Sequence, residues 1–124
     1  MPLIHAELSE RIIGCCITVH RSLGPGFLEK IYEEALSHEL DRAGVRYERQ
    51  KTIVVLYDGK PVGEHRVDLL VEGLVVLELK ATSAIDGAHL ATARSYLKAT
   101  SLQLALVVNF ARPTLDIRRV VLTQ

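Results

Sequence analysis

The chain has 124 residues, 48% hydrophobic and 24% charged, with 15 basic side chains against 15 acidic ones. That is enough chain to bury about two-thirds of its unfolded surface, so a core needs neither disulfide nor structural metal, and disorder is excluded. A net charge of zero argues against a histone-like or polybasic binder, which depends on a basic surplus. No run approaches the ~18 apolar residues of a membrane helix. The opening stretch from Met1 to Glu7 lacks the basic-then-apolar order of a signal peptide. Cys15 and Cys16 are adjacent and cannot close a useful loop, which points to the reducing cytoplasm. Together these predict one small cytoplasmic domain over residues 1–124.

Residues 6–22 read as a helix, with Leu8, Ile12, Cys16, Val19 and Leu23 at three-to-four spacing. Gly24-Pro25-Gly26 breaks it, and a second helix is predicted over 27–43 with Gly44 as its C-terminal cap. The apolar period then changes to two. A strand over 52–57, a hairpin turn at Asp58-Gly59 and a returning strand over 62–71 follow. Glu72-Gly73 marks another turn before a third strand ending at Lys80. A helix over 86–100, a strongly apolar strand over 102–110 and a last strand over 116–122 complete the order ααβββαββ. That order predicts helices covering a mixed sheet.

The second hairpin can be registered by asking which pairing keeps apolar residues together. A three-residue loop at Glu72, Gly73 and Leu74 sets Val71 against Val75, Leu69 against Leu77 and Val67 against Leu79, one apolar face. The other face then carries Asp68 opposite Glu78 and Arg66 opposite Lys80, while His65 has the opposite parity. Facing carboxylates lie about 5 Å apart at Cβ and repel unless a cation intervenes. A hard divalent ion, Mg²⁺ or Mn²⁺, suits carboxylate oxygens. Lys80, on the same face, is then able to orient an attacking water, and Arg66 to hold a phosphate oxygen. The other reading is a structural ion network in which Arg66 and Lys80 neutralise the two acids without metal. Glu29, Tyr32, Glu33 and Leu36 share one helical face, which on an isolated helix is most often a solvated edge.

The segment from Val19 to Tyr32, with Gly26, Glu29 and Tyr32 at G-x-x-E-x-x-Y spacing, resembles the signature of the GxxExxY proteins. These are a mainly prokaryotic group similar to the PD-(D/E)XK nucleases, whose D…E-x-K core is matched by Asp68 and Glu78-Leu79-Lys80. Tyr96-Leu97-Lys98 and Val107-Val108-Asn109-Phe110 resemble the second half of that pattern, so the likeness spans residues 8–122. The resemblance implies a restriction-endonuclease-like α/β fold and metal-dependent phosphodiester hydrolysis of DNA or RNA. It implies Asp68, Glu78 and the Leu79 carbonyl as ligands of Mg²⁺ or Mn²⁺, with Lys80 positioning the water and Glu29 reaching in from the helix. Tyr32, Arg66, Thr92 and Tyr96 are expected on the substrate side. Thr92 is a departure: the family often has glutamine there, and threonine has no amide to present; His89, one turn earlier, is a possible substitute.

The remaining candidates have plainer readings. His20 suits carbonyl capping near a helix end, and the two cysteines suit a core. The basic groups Arg46, Arg49, Lys51 and Arg112, Arg118, Arg119 read as solvated faces, and Tyr47, Tyr57 and Tyr96 as packing residues. No phosphate-binding glycine loop and no zinc spacing occur. The chain is therefore expected to be a Mg²⁺- or Mn²⁺-dependent nuclease, with homodimerisation carried over from the resemblance. The competing classes are a non-catalytic nuclease-fold module acting through a partner, and hydrolysis of a small phosphate compound.

Overall fold

The computed structural model describes residues 3–123; Met1 and Pro2 of the opening stretch, and Gln124, lie outside them. The elements are α1 (Ala6–Leu23), α2 (Glu29–Arg42), β1 (Tyr47–Tyr57), β2 (Lys60–Val71), β3 (Val75–Lys80), α3 (Gly87–Thr100), β4 (Leu104–Asn109) and β5 (Asp116–Val121). This is the expected order ααβββαββ in an α/β fold of restriction-endonuclease-like form. The strands form one sheet in the order β1-β2-β3-β4-β5, in which only β3 and β4 run parallel. That parallel pair requires a crossover, which α3 supplies.

Each face of the sheet carries its own core. On one, Ile12, Cys16 and Val19 of α1 and Tyr32, Leu36 and Leu40 of α2 pack on Leu69, Leu77, Leu106 and Val108. On the other, Ala93, Tyr96 and Leu97 of α3 pack on Val76, Ala105 and Val107. β4 is buried throughout, as its unbroken apolar run requires of a strand covered on both faces. Cys15 and Cys16 are both buried, and burial raises both thiols above the ordinary range, consistent with packing residues.

Local chemistry accounts for most boundaries. α2 ends in a paired C-terminal lock, Gly44 N–H to the Asp41 carbonyl at 3.1 Å and Val45 N–H to the Leu40 carbonyl at 3.0 Å. Gly44 has φ 72°, which glycine takes without a side-chain clash. α3 is opened by Asp86, whose carboxylate accepts the His89 N–H at 3.0 Å while His89 Nδ1 accepts the Asp86 N–H at 3.1 Å. His89 is thus a capping residue, so it does not replace the absent glutamine. At the first hairpin, Asp58 and Gly59 both have positive φ, the two-residue turn expected of that pair.

β1 departs from expectation by starting five residues early, at Tyr47 rather than residue 52. Arg49 and Lys51 therefore lie within a strand. β1 is a sheet edge and its first half is largely exposed, so no apolar alternation marks it. α2 departs the other way: Phe27 and Leu28 belong to the loop, and the helix opens on Glu29.

The second hairpin has the predicted three-residue loop, with Val71 paired to Val75, Leu70 to Val76 and Leu69 to Leu77. The ladder stops there. Val67 does not face Leu79, nor Arg66 Lys80; Val67 packs instead under α3 with Val76 and Ala105, while Leu69 packs on the opposite face. Residues two apart on a regular strand share a face, so β2 changes face at Asp68. Directly across from it on β1, Gln50 has φ 50°, a left-handed conformation in mid-strand. The backbone irregularity at Gln50 and the change of face at Asp68 are one local distortion of the β1–β2 pair.

Candidate active site

The site lies where β2 and β3 part. β2 stays paired with β1 as far as the Tyr57–Lys60 turn, while β3 continues beside β4 to Lys80. Two carboxylates take over the hydrogen bonding that the split ladder gives up. Asp68 Oδ2 accepts the Leu79 N–H at 2.7 Å, and Glu78 Oε1 accepts the Asp68 N–H at 3.2 Å. Each acid thus grips the other strand's backbone with one oxygen. The second oxygens are less committed. Asp68 Oδ1 meets only Gln50 Nε2 at 3.5 Å, and Glu78 Oε2 has no hydrogen bond among the described residues. Among the described residues no buried side-chain oxygen lacks a partner, so Oε2 is not sealed from solvent.

The Lys80 carbonyl is taken by the Phe110 N–H at 2.9 Å across β3 and β4. By strand alternation, Leu79 turns its own N–H and carbonyl to the split side, where the N–H finds Asp68. Asp68 Oδ1, Glu78 Oε2 and the Leu79 carbonyl are the oxygens left over at the split, the type of donor that suits a hard divalent cation. Among the described residues no group of three or more His, Cys, Asp or Glu side chains is close enough to hold a metal, so the set has two acidic side chains and no third.

Electrostatics mark the same place. Glu78 is 8% exposed. Burial, with the facing charge of Asp68 second, pushes its carboxyl from 4.5 up to about 8, against the pull of the Asp68 N–H and the Lys80 ammonium. Asp68 is raised too, by burial first; the Leu79 N–H opposes this, and the charges of Glu33 and Glu29 add to it. The ion network that competed with the metal reading does not form. Neither Arg66 nor Lys80 makes an ion pair within 4.0 Å among the described residues.

Glu29 is the first residue of α2, and its Oε2 accepts the Ala81 N–H at 3.3 Å, just beyond Lys80. α2 therefore delivers a third acid beside the pair. Glu29, Lys30, Glu33, Gln50, Arg66 and Asp68 line a cleft of about 450 Å³.

Other expected residues stand elsewhere. Tyr32 is fully buried, so it has no surface to offer a substrate. Its hydroxyl donates to the Gly24 carbonyl at 2.6 Å and accepts the Phe27 N–H at 3.2 Å, and its ring stacks on Phe110 at 4.5 Å. It fastens the Gly-Pro-Gly loop that aims Glu29. Tyr96 is buried under α3, with His65 edge-on at 5.1 Å, and its hydroxyl is raised by burial and by the charges of Glu78 and Asp68. Thr92 is exposed on α3 and does not line the cleft. His20 holds the Arg112 carbonyl at 2.9 Å rather than its own helix end. Arg119 ties β5 to Ser9 and the Ile4 carbonyl, and Arg118 pairs with Asp116, so neither is simply a solvated charge.

Three contributors went unseen in the sequence. Glu33 is buried, correcting the solvated edge expected of its helix face, and Tyr32 and Leu36 beside it are fully buried. Its Oε2 accepts Arg49 Nε at 3.0 Å and Nη2 at 2.9 Å, and its Oε1 accepts Gln50 Nε2 at 2.6 Å. Arg49 also reaches Glu34 at 2.7 Å, an ion pair that lowers the Glu34 carboxyl and raises the guanidinium. The only signal was the place of Glu33, one turn beyond Glu29 on the same face.

A family model described as the PD-(D/E)XK nuclease superfamily matches residues 6–120, from the start of α1 into β5. Neither the curated proteins nor the solved structures gave a match. The matched span contains the split strands, both acids, the lysine and the helix bearing Glu29, and the chain belongs to the PD-(D/E)XK nuclease superfamily.

Proposed function

We propose that the protein is a Mg²⁺- or Mn²⁺-dependent phosphodiesterase acting on DNA or RNA in the cytoplasm, of the GxxExxY type within its superfamily. One observation carries the reading: a buried carboxylate, Glu78, and a half-buried one, Asp68, meet where two strands part, each with an oxygen left over, and neither Arg66 nor Lys80 forms an ion pair with them among the described residues. Two such acids are costly to keep without compensation, and a divalent ion is the compensation their oxygens suit. Asp68, Glu78 and the Leu79 carbonyl would hold the ion, which supplies charge neutralisation to a phosphodiester when bound.

The chain's own residues divide the remaining work. Lys80, half-buried and without an ion pair among the described residues, donates to the attacking water and offsets charge gathering on the phosphate oxygens. Glu29, held by the Ala81 N–H, borders the approach of that water. Arg66 at the cleft wall holds a non-bridging phosphate oxygen. A homodimer is part of the proposal, tested by light scattering. Zero net charge favours a short nucleic-acid footprint with few phosphates contacted and a shallow salt dependence.

The test is cleavage of single- and double-stranded DNA and RNA in Mg²⁺ or Mn²⁺. Wild type is expected to cut at least one of them, and Lys80→Ala to lose about 10²-fold or more in rate while remaining folded. Equal cleavage by wild type and Lys80→Ala refutes the assignment. Absence of cleavage on all four substrates, with metal bound, moves the reading to a non-catalytic module.

A further inference from the structure

Two consecutive residues of β1, Arg49 and Gln50, both reach the carboxylate of Glu33. Neighbours on a regular strand point to opposite faces, so this is possible only because Gln50 is left-handed at φ 50°. A non-glycine residue in that region is held against a steric cost, and strand irregularities of this kind re-aim side chains beside functional sites. The side chain re-aimed here is the Gln50 amide. Its Nε2 lies 2.6 Å from Glu33 Oε1 and 3.5 Å from Asp68 Oδ1.

We infer that Gln50 is a positioning residue for Asp68, with Glu33 and Arg49 fixing which way its amide faces. Arg49 donates twice to Glu33 Oε2, which leaves Oε1 to accept from Gln50. A carboxylate accepts only, so the amide must turn its nitrogen toward Glu33, and that nitrogen then faces Asp68 Oδ1 as well. Asp68 is thereby held from two sides, by Gln50 on β1 and by the Leu79 N–H on β3. An amide serving the acidic pair from β1 supplies a function that Thr92, exposed on α3, does not. The Asp68 carboxylate is kept in one rotamer, with its free edge toward the cleft.

The experiment has one arm independent of metal and one that rests on the phosphodiesterase reading. Gln50→Gly removes the amide yet suits the left-handed backbone, so the variant is expected to stay folded while melting lower than wild type, since Glu33 Oε1 loses its partner. Gln50→Asn tolerates the same backbone but shortens the reach, and serves if the glycine variant is poorly folded. In metal-free protein the Leu79 amide proton, observed by NMR, is expected to shift upfield and exchange several-fold faster, with the β4–β5 amides unchanged. Calorimetry with Mn²⁺ is expected to show about tenfold weaker binding in Gln50→Gly and in Glu33→Gln, and little further loss in the double variant. An unmoved Leu79 amide in a folded variant overturns the inference. A moved amide in a protein whose wild type binds no Mn²⁺ sustains the positioning role and refutes the phosphodiesterase.

Discussion

Replacing Glu78 by glutamine should stabilise the metal-free protein, by an amount that grows with pH. Glutamine keeps the Oε1 that accepts the Asp68 N–H and removes a charge that burial and Asp68 disfavour. With the side chain 8% exposed, solvent does little to screen that penalty. A carboxyl raised from 4.5 to about 8 on folding keeps its full stability contribution below pH 4.5 and loses it as pH rises toward 8. Each pH unit in that window is worth about 1.36 kcal/mol. The glutamine variant should therefore match wild type near pH 4.5, gain about 3 kcal/mol at pH 7 and about 5 kcal/mol above pH 8. The assay is urea unfolding of both proteins in chelator at several pH values, with the difference plotted against pH. Adding Mn²⁺ should narrow the difference, because only wild type then gains binding energy, about 2.7 kcal/mol at a hundredfold excess over Kd. A glutamine variant no more stable than wild type at pH 8, or a gain that does not vary with pH, refutes the reasoning.

Two other variants probe the supports of the site. Tyr32→Phe leaves the Gly24 carbonyl and Phe27 N–H without the hydroxyl that served them, and should cost about 1–3 kcal/mol in chemical denaturation. Mn²⁺ affinity should change little, since the ring and its stacking remain; full loss of metal binding in a folded Tyr32→Phe would contradict a structural role. Asn109→Ala strips three partners, the Thr82 N–H, the Thr82 carbonyl and the Ala111 N–H, from a fully buried amide. It should cost at least about 2 kcal/mol and speed hydrogen exchange at Thr82; unchanged exchange there would show the segment after Lys80 is held by other means.

What the sequence revealed was whatever burial writes into it. The apolar run of β4, the Asp58-Gly59 turn and the three-residue loop after Val71 were all legible, the run and the loop because faces on both sides must stay dry. The D…E-x-K spacing brought Asp68 and Glu78 together because the register of that hairpin decides it. Concealed were features set by neighbours distant in sequence. The first half of β1 is polar because it is an exposed edge. Extending the hairpin register past Leu69 also failed, since strict alternation carries no record of where two strands part. Glu33 looked solvated because only the fold supplies Arg49 and Gln50 to meet it. Tyr32 looked like a ligand-facing residue because its motif contains it, yet its hydroxyl serves the loop before α2.

The most direct measurement is calorimetric titration of Mn²⁺ and Mg²⁺ into wild type, Asp68→Ala and Glu78→Ala, each checked for folding. One binding event in wild type, abolished in both variants, is what two carboxylates sharing one gap predict. Binding that survives either substitution, or no binding by folded wild type at millimolar metal, would contradict the claim that the split between β2 and β3 is a metal site.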